Sequence, residues 1–278
     1  MAWLRERPEK SIHGVVTDPP YGLVEYTKTQ QEKLRAGRGG VWRIPPSFDG
    51  HQRSPVPRFT TLTTDNLSHL ANFFETWASD LRATLVPGAH VLVASNPLVS
   101  PYVGQALAAA GLERRGEIVR LVMTMRGGDR PKGAHDEFSD VTVMPRSQWE
   151  PWLLYREPIE ARTVAENLRK YKTGALRRVS DHQPFGDVIK SRPAGSIERR
   201  IAKHPSLKPQ AFLRQVVRAM LPLGEGVILD PFAGSGSTLA AAEAVGYESI
   251  GVERDEHYVR IAREAIPALA ALTINGET

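Results

Sequence analysis

Gly226-Val227-Ile228-Leu229-Asp230-Pro231-Phe232-Ala233-Gly234-Ser235-Gly236-Ser237-Thr238 is the stretch on which the fold turns. Gly226 to Asp230 reads as a short buried strand. Leu239 to Val245 continues the stretch as a helix. A glycine-rich turn between strand and helix lets a ligand approach the backbone closely. Ser249-Ile250-Gly251-Val252-Glu253 follows as a second short strand ending in an acid. Glu253 lies 19 residues after Gly234. An acid about 20 residues beyond such a turn accepts hydrogen bonds from ribose hydroxyls. Asp230, Phe232, Gly234, Ser235, Gly236, Ser237, Thr238 and Glu253 therefore form a candidate site for a nucleoside cofactor. A tight turn without a ligand is the competing reading, but strand, glycines and acid agree.

The residues narrow the cofactor class. A dinucleotide fingerprint needs a further glycine at 239, where the chain has Leu239, and a phosphate-cradling loop needs a lysine after the glycines, where it has none. S-adenosylmethionine has a ribose but no phosphate, so it requires only the turn and the acid.

A second constellation lies near the start. The apolar run Ile12-His13-Gly14-Val15-Val16-Thr17 reads as a strand and leads into Asp18-Pro19-Pro20-Tyr21. Open α/β sheets place ligands at this end of their strands. The two prolines fix φ near −65° and carry no N–H, so their carbonyls are held rigidly. An ionised Asp18 only accepts hydrogen bonds. A carboxylate beside a fixed carbonyl suits a group with two N–H donors, such as the exocyclic amine of a nucleobase, and Tyr21 offers a face for stacking. The bland alternative is a proline-rich turn with an aspartate cap.

Composition bounds the classes. With 278 residues, 41% hydrophobic and 24% charged, the chain is long and apolar enough for one large globular domain or a domain with a small insert. No apolar run approaches the ~18 residues of a membrane span. Met1 to Arg7 is charged and unlike a signal peptide, so a cytoplasmic protein is expected. The absence of cysteine excludes disulfides, thiolate metal sites and carbon-5 methylation of cytosine, which needs a thiolate. The eight histidines show no metal-motif spacing, and no metal is expected. From Arg156 to Lys208 there are 13 Lys/Arg and 6 Asp/Glu, a net +7; the other 23 basic and 25 acidic residues give −2. A concentrated basic segment on a near-neutral protein fits a polyanion. Within it Arg169, Lys170, Lys172, Arg177, Arg178, Lys190 and Arg192 are candidate contacts to such a polyanion.

Residues 2–10 read as a short helix. The long stretch 22–63, rich in glycine, proline and arginine, reads as a flap over the substrate. Asp65 reads as an N-cap for a helix through Leu85, stopped by Pro87-Gly88, with Ala89 to Ala94 a buried strand. Pro101–Leu112 reads as a helix; Ile118–Met125, Val141–Met144 and Trp149–Tyr155 read as strands. Residues 157–206 break the pattern as a polar, basic insert. Pro209 opens a helix with Phe212, Val216, Val217, Met220 and Leu221 on its buried face. Alternating strands and helices argue a mainly parallel, twisted, Rossmann-like α/β sheet with helices on both faces.

Together these motifs resemble the S-adenosylmethionine-dependent amino-methyltransferases of DNA, in the β arrangement, where Asp-Pro-Pro-Tyr precedes the recognition region and the cofactor motif comes last. His204-Pro205-Ser206-Leu207-Lys208-Pro209 resembles the segment before the cofactor strand, and the resemblance implies that Ser206 and Lys208 lie near the methionine carboxylate. Trp149-Glu150, within Gln148-Trp149-Glu150-Pro151-Trp152, resembles a strand lining the target-base pocket. The resemblance implies three parts: residues 1–156 as the catalytic half, 157–206 as the recognition insert, and 207–278 as the cofactor half. It departs at the start, where a further strand with an acidic motif is usual; only Met1 to Ser11 precede Ile12, so that strand is missing or lies upstream.

The activity so implied is methylation of the N6 amine of a flipped adenine in double-stranded DNA by a restriction–modification-type enzyme, with Asp18, Pro19, Pro20 and Tyr21 as the catalytic motif. An aspartate at its head is mostly found in adenine enzymes. Methylation of cytosine N4, an RNA methyltransferase and a silent DNA-binding module are the alternatives. A homodimer on a near-palindromic site is expected, with 22–63 and helix 65–86 as interface elements.

Overall fold

The computed structural model describes residues 2–20, 64–122, 131, 133–134, 136–143, 145, 148–204 and 206–274. Tyr21, the stretch 22–63, Met123 to Met125, Met144 and Pro205 lie outside them.

Among the described residues a seven-stranded sheet has the order β5-β3-β4-β2-β1-β6-β7. Its strands are β1 Ile12–Thr17, β2 Leu85–Ala94, β3 Glu113–Leu121, β4 Trp149–Arg156, β5 Val188–Lys190, β6 Val227–Asp230 and β7 Glu248–Gly251. Four of the six pairings are parallel; β4 runs antiparallel to both neighbours, β2 and β3. The helices are α1 Ala2–Arg5, α2 Thr64–Arg82, α3 Ser100–Ala109, α4 Val164–Tyr171, α5 Ser196–Ile201, α6 Gln210–Met220, α7 Ser237–Ala244 and α8 Glu256–Ala270.

Strand alternation splits the core into two layers. Val15, Val91 and Val93 face one side, against Phe74, Trp77 and Leu81 of α2 and Val103 and Leu107 of α3. Val16, Leu92 and Ala94 face the other, against Phe212, Val216, Val217 and Met220 of α6 and Ala241 and Ala242 of α7. β1 is buried on both faces because helices cover both, as its unbroken apolar run requires.

Some elements depart from the expected boundaries. The helix opened near Asp65 ends at Arg82, and Pro87-Gly88 lies inside β2. The pairing with β1 jumps from Ile12↔Leu85 to Gly14↔His90, so β2 bulges around the proline. The bulge is braced: Pro87 O accepts from Asn167 Nδ2 at 2.8 Å and Thr173 Oγ1 at 2.6 Å. β3 begins at Glu113, in a charged stretch that hides the strand, and ends at Leu121. Val141 and Val143 are exposed and belong to no strand. The first helix is a single turn. Strand β7 stops at Gly251, two residues short of Glu253. Residues 157–206 supply β5, which extends the sheet beside β3, and Leu176 and Phe185 pack on the second core layer.

Candidate active site

Strands β1 and β6 are parallel neighbours, with Val15 beside Leu229, so their C-terminal ends meet at one sheet edge. That places Asp18 next to Asp230. Thr17 Oγ1 donates to Asp230 Oδ1 at 2.7 Å, and Phe232 N donates to the same oxygen at 3.1 Å. Burial pushes the Asp230 carboxyl up to about 6, against the hydroxyls of Thr17 and Thr238. The turn beyond it needs its glycines. Gly234 has φ +51° and Gly236 φ +83°; a Cβ on Gly236 would come within 2.6 Å of Ile266. Gly234 N donates to Glu253 Oε2 at 2.8 Å, and Asp255 N to Glu253 Oε1 at 2.8 Å. The acid is thus fixed against the turn by backbone N–H groups.

Asp18, Ser206, Lys208, Asp230, Phe232, Gly234, Ser235, Ser237 and Thr238 line one cleft, together with Trp152, His204, Leu213 and Ala233. The structure therefore gathers both sequence constellations, and the segment before α6, around a single space. Pro19 is buried beneath Asp18 and Pro20 is exposed. Gly236 serves the turn, and Glu253 stands behind Gly234. An adjoining apolar hollow of about 90 Å³ is walled by Trp3, Leu4, Phe73, Trp77, Pro231, Phe232 and Val252.

The other side of the cleft is a buried run of alternating charge. Lys208 Nζ lies 2.5 Å from Asp18 Oδ2 and 3.3 Å from Glu150 Oε1. Glu150 Oε2 accepts from Arg120 Nη1 at 2.8 Å and from Trp152 Nε1 at 3.1 Å. Burial opposes the charge of Lys208, but Asp18 and Glu150 outweigh it and raise the ammonium above its ordinary value. Burial likewise opposes the Glu150 carboxylate, and Lys208 and Arg120 hold it below its usual range. Arg120 and Glu150 face each other directly across the β3–β4 ladder. Burial holds the His204 imidazole below its ordinary value; its Nδ1 accepts from Ser206 N at 3.2 Å.

Arg120, Trp152 and His204 were not among the expected site residues, and Glu150 only as part of a pocket strand. A signal for Arg120 exists: it shares a strand face with buried Ile118, and a charge on an inward face demands a partner.

The expected DNA contacts divide by sheet edge. Lys190 ends β5 and pairs with Leu121, and Arg192 lies two residues beyond it; Leu121 pairs with Trp149, and Trp152 with Ala94 at the end of β2. They are exposed on the Asp18 edge. Arg169, Lys170 and Lys172 belong to the α4 region, which is tied to Pro87 at the opposite end of β2. Arg177 is half-buried there: its Nη1 donates to Tyr247 Oη at 2.8 Å, and its N to Ala219 O. Arg178 follows it; its Nε donates to Ser180 O and its carbonyl accepts from Arg218 Nη1. Exposed Arg199, Arg200 and Lys203, absent from the expected set, lie beside the cleft, because Glu198 accepts from Gln210 N at 2.7 Å.

Residues 12–264 match the family model of the N6/N4 methyltransferases, described as DNA methylase. Type II methyltransferase M2.DpnII of Streptococcus pneumoniae is 32% identical over 98 residues, which are 35% of this chain and 36% of that one. The matched stretch thus spans about a third of the curated relative's length. The fold resembles TTHA0409 of Thermus thermophilus, solved with S-adenosyl-L-methionine, with a TM-score of 0.58 and 20% identity over 98% of this chain and 92% of that one. It also resembles PvuII DNA methyltransferase, which is cytosine-N4-specific, with a TM-score of 0.58 and 14% identity over 98% and 83% of the two chains.

Proposed function

The chain belongs to the DNA methylase family of N6/N4 methyltransferases, and we propose that it transfers a methyl group from S-adenosylmethionine to the N6 amine of an adenine flipped out of double-stranded DNA. The observation that carries this reading is the convergence of Asp18 and the Gly234 turn with Glu253 on one edge of the sheet.

The residues fit the cofactor. Glu253 is fixed by two backbone N–H groups and keeps lone pairs for ribose hydroxyls. The aromatic hollow at Phe232, walled by Trp3 and Phe73, offers faces for an adenine ring. Ser206 and Lys208 supply a hydroxyl and a cation for the amino-acid end. When bound, the cofactor supplies an electrophilic sulfonium methyl group.

The chain's own contribution is to hold the nucleophile. An exocyclic amine on an aromatic base is a poor nucleophile, because its lone pair is delocalised into the ring. Asp18 and the Pro19 carbonyl accept hydrogen bonds from its two N–H groups and turn the lone pair toward the methyl group; as the N–C bond forms the C–S bond breaks, S-adenosylhomocysteine is the leaving group, and the extra proton leaves the nitrogen after transfer. Positioning of this kind contributes on the order of 7 kcal/mol or more in favourable cases. Tyr21 stacks on the base, worth roughly 1–3 kcal/mol. The base must leave the duplex to reach Asp18. The exposed cations of Lys190, Arg192, Arg199, Arg200 and Lys203 hold the phosphates beside it, and a second copy of the chain holds the rest of a near-palindromic site.

Cytosine presents the same two N–H donors at N4, and the likeness to a cytosine-N4 enzyme keeps it as the second reading. Sequencing with modification detection, on DNA from cells expressing the protein, tests both. N6-methyladenine at a fixed motif supports the proposal; N4-methylcytosine replaces it; unmodified DNA refutes it.

A further inference from the structure

We propose that Arg120 and Glu150 are positioning residues for the transfer: they hold Lys208, and through it Asp18, and they tie that aspartate to the DNA-facing segment after β5. The inference rests on the reading that Asp18 receives the target amine.

The geometry is a continuous series of charged contacts. Arg120 uses its whole fork. Nε donates to Ser191 Oγ at 3.0 Å, Nη2 to Arg192 O at 3.1 Å and Nη1 to Glu150 Oε2 at 2.8 Å. Its guanidinium also lies over the Phe212 ring, 5.2 Å from the centroid. Glu150 passes the contact to Lys208 at 3.3 Å, and Lys208 reaches Asp18 at 2.5 Å. Arg120 side-chain exposure is 6%, Lys208 11% and Glu150 14%, so water screens little of this series.

Charge balance assigns the roles. The four side chains sum to zero, with each acid between cations or beside one. Lys208 bridges two carboxylates, so its position, and the direction in which it holds Asp18 Oδ2, depends on Glu150 pulling from the other side. Removing the Glu150 charge leaves Lys208 facing Arg120 with Asp18 as its only acid. The ammonium then moves toward Asp18 and drags the carboxylate from the orientation an incoming amine requires. Arg120 keeps Glu150 from rotating toward solvent, and no lysine can replace it, because its three acceptors are served by three separate nitrogens of the planar fork, whereas an ammonium donates from one nitrogen. The connection also has a direction. Ser191 and Arg192 directly follow β5 in the segment that carries exposed Lys190 and Arg192. A shift of that segment on binding DNA is felt at Glu150 without passing through the cofactor turn.

Glu150→Gln keeps the shape and an acceptor for Trp152, so it is the first variant; Arg120→Lys is the second. Thermal melts establish that each is folded, and calorimetry with S-adenosylhomocysteine tests the cofactor half. Single-turnover transfer from tritiated S-adenosylmethionine to unmethylated genomic DNA is followed from pH 6 to 10. The expected result is a rate at saturating cofactor lower by about 10- to 100-fold in both variants, with S-adenosylhomocysteine weakened by a smaller factor, because Lys208 also serves the amino-acid end. In Glu150→Gln the rate should also fall at a lower alkaline pH than in wild type. Lys208 there faces Asp18, Arg120 and His204, and has lost one of its two acids. Nitrogen-15 NMR of lysine-labelled protein, with Lys208→Arg for assignment, should show the same downward move of the Lys208 ammonium. Wild-type rates and pH profiles in folded variants would overturn the assignment. Inactive wild type would instead overturn the reading of the reaction. The lysine titration then decides alone: an unmoved Lys208 signal in Glu150→Gln overturns the coupling, and a downward move upholds it.

Discussion

Thr17 Oγ1 donates a 2.7 Å hydrogen bond to Asp230 Oδ1 and joins the ends of the two strands that carry the two halves of the site. The bond only partly offsets burial, which leaves the Asp230 carboxyl at about 6 against an ordinary 3.8. The folded state therefore binds this proton more tightly than the unfolded chain. Its contribution to stability is present below about 4 and lost as the pH rises through 6. The gap corresponds to about 3 kcal/mol. Asp230→Asn removes the titration. Urea unfolding should show the wild type losing stability relative to Asp230→Asn between pH 4 and pH 6. Parallel curves across that range would place the ionised form of Asp230 in a better-solvated site. Thr17→Val should move the wild-type decline to higher pH.

Asp18→Ala should abolish methyl transfer while leaving S-adenosylhomocysteine affinity within about threefold. The substitution removes the proposed acceptor for the target amine. Lys208 is not stranded by it, because Glu150 remains 3.3 Å away. Loss of a buried acid from a lysine with no second partner would cost several kcal/mol; here the melting temperature should fall only modestly. Turnover like that of the wild type would remove Asp18 from the chemistry.

The two motifs were legible because each is local. A buried strand followed by fixed prolines, or by glycines at positive φ, builds its own geometry from adjacent residues. The same logic failed at Pro87-Gly88. Those residues commonly stop helices, but α2 had already ended at Arg82, and Asn167 and Thr173 hold the proline inside a strand. Arg120 and Glu150 lie 30 residues apart and meet only through the β3–β4 register, which no local pattern states. Charge counting likewise found the basic segment but not its course. It runs from the far end of β2, at Asn167 and Thr173, to the Asp18 edge at Lys190. Counting also could not show that Arg177 is engaged with Tyr247.

Glu253→Ala should weaken S-adenosylmethionine and S-adenosylhomocysteine by the same factor, since both present the same ribose. The lost charge-assisted hydrogen bonds correspond to about 1.5–3 kcal/mol. The structure adds a second effect: Glu253 also holds Gly234 N and Asp255 N, so the alanine variant loosens the turn. Glu253→Gln keeps one acceptor oxygen, enough for one of the two backbone bonds, and should lose less. Calorimetry on the two variants separates the contributions. Equal affinity for wild type and Glu253→Ala would mean that the ribose is held elsewhere.

The division of the basic segment between sheet edges gives a comparison in which each set controls for the other. Lys190, Arg192, Arg199 and Arg200 are exposed at or beside the Asp18 edge, whereas Arg169, Lys170 and Lys172 belong to the helix region at the other end of β2. Each phosphate neutralised by a cation steepens the fall of affinity with salt, by about 0.9 in the log–log slope for duplex DNA. Replacing the first set with glutamine should flatten the slope by up to about that amount per residue. Replacing the second set should leave it within error. Arg177 belongs to neither set: Arg177→Ala removes the bond to Tyr247 and should lower the melting temperature with the slope unchanged. Fluorescence anisotropy on a labelled duplex, from about 50 to about 200 mM salt, measures the slope for all three. Flattening by the α4 set, with none from Lys190, Arg192, Arg199 and Arg200, would move the DNA to the other edge and away from Asp18.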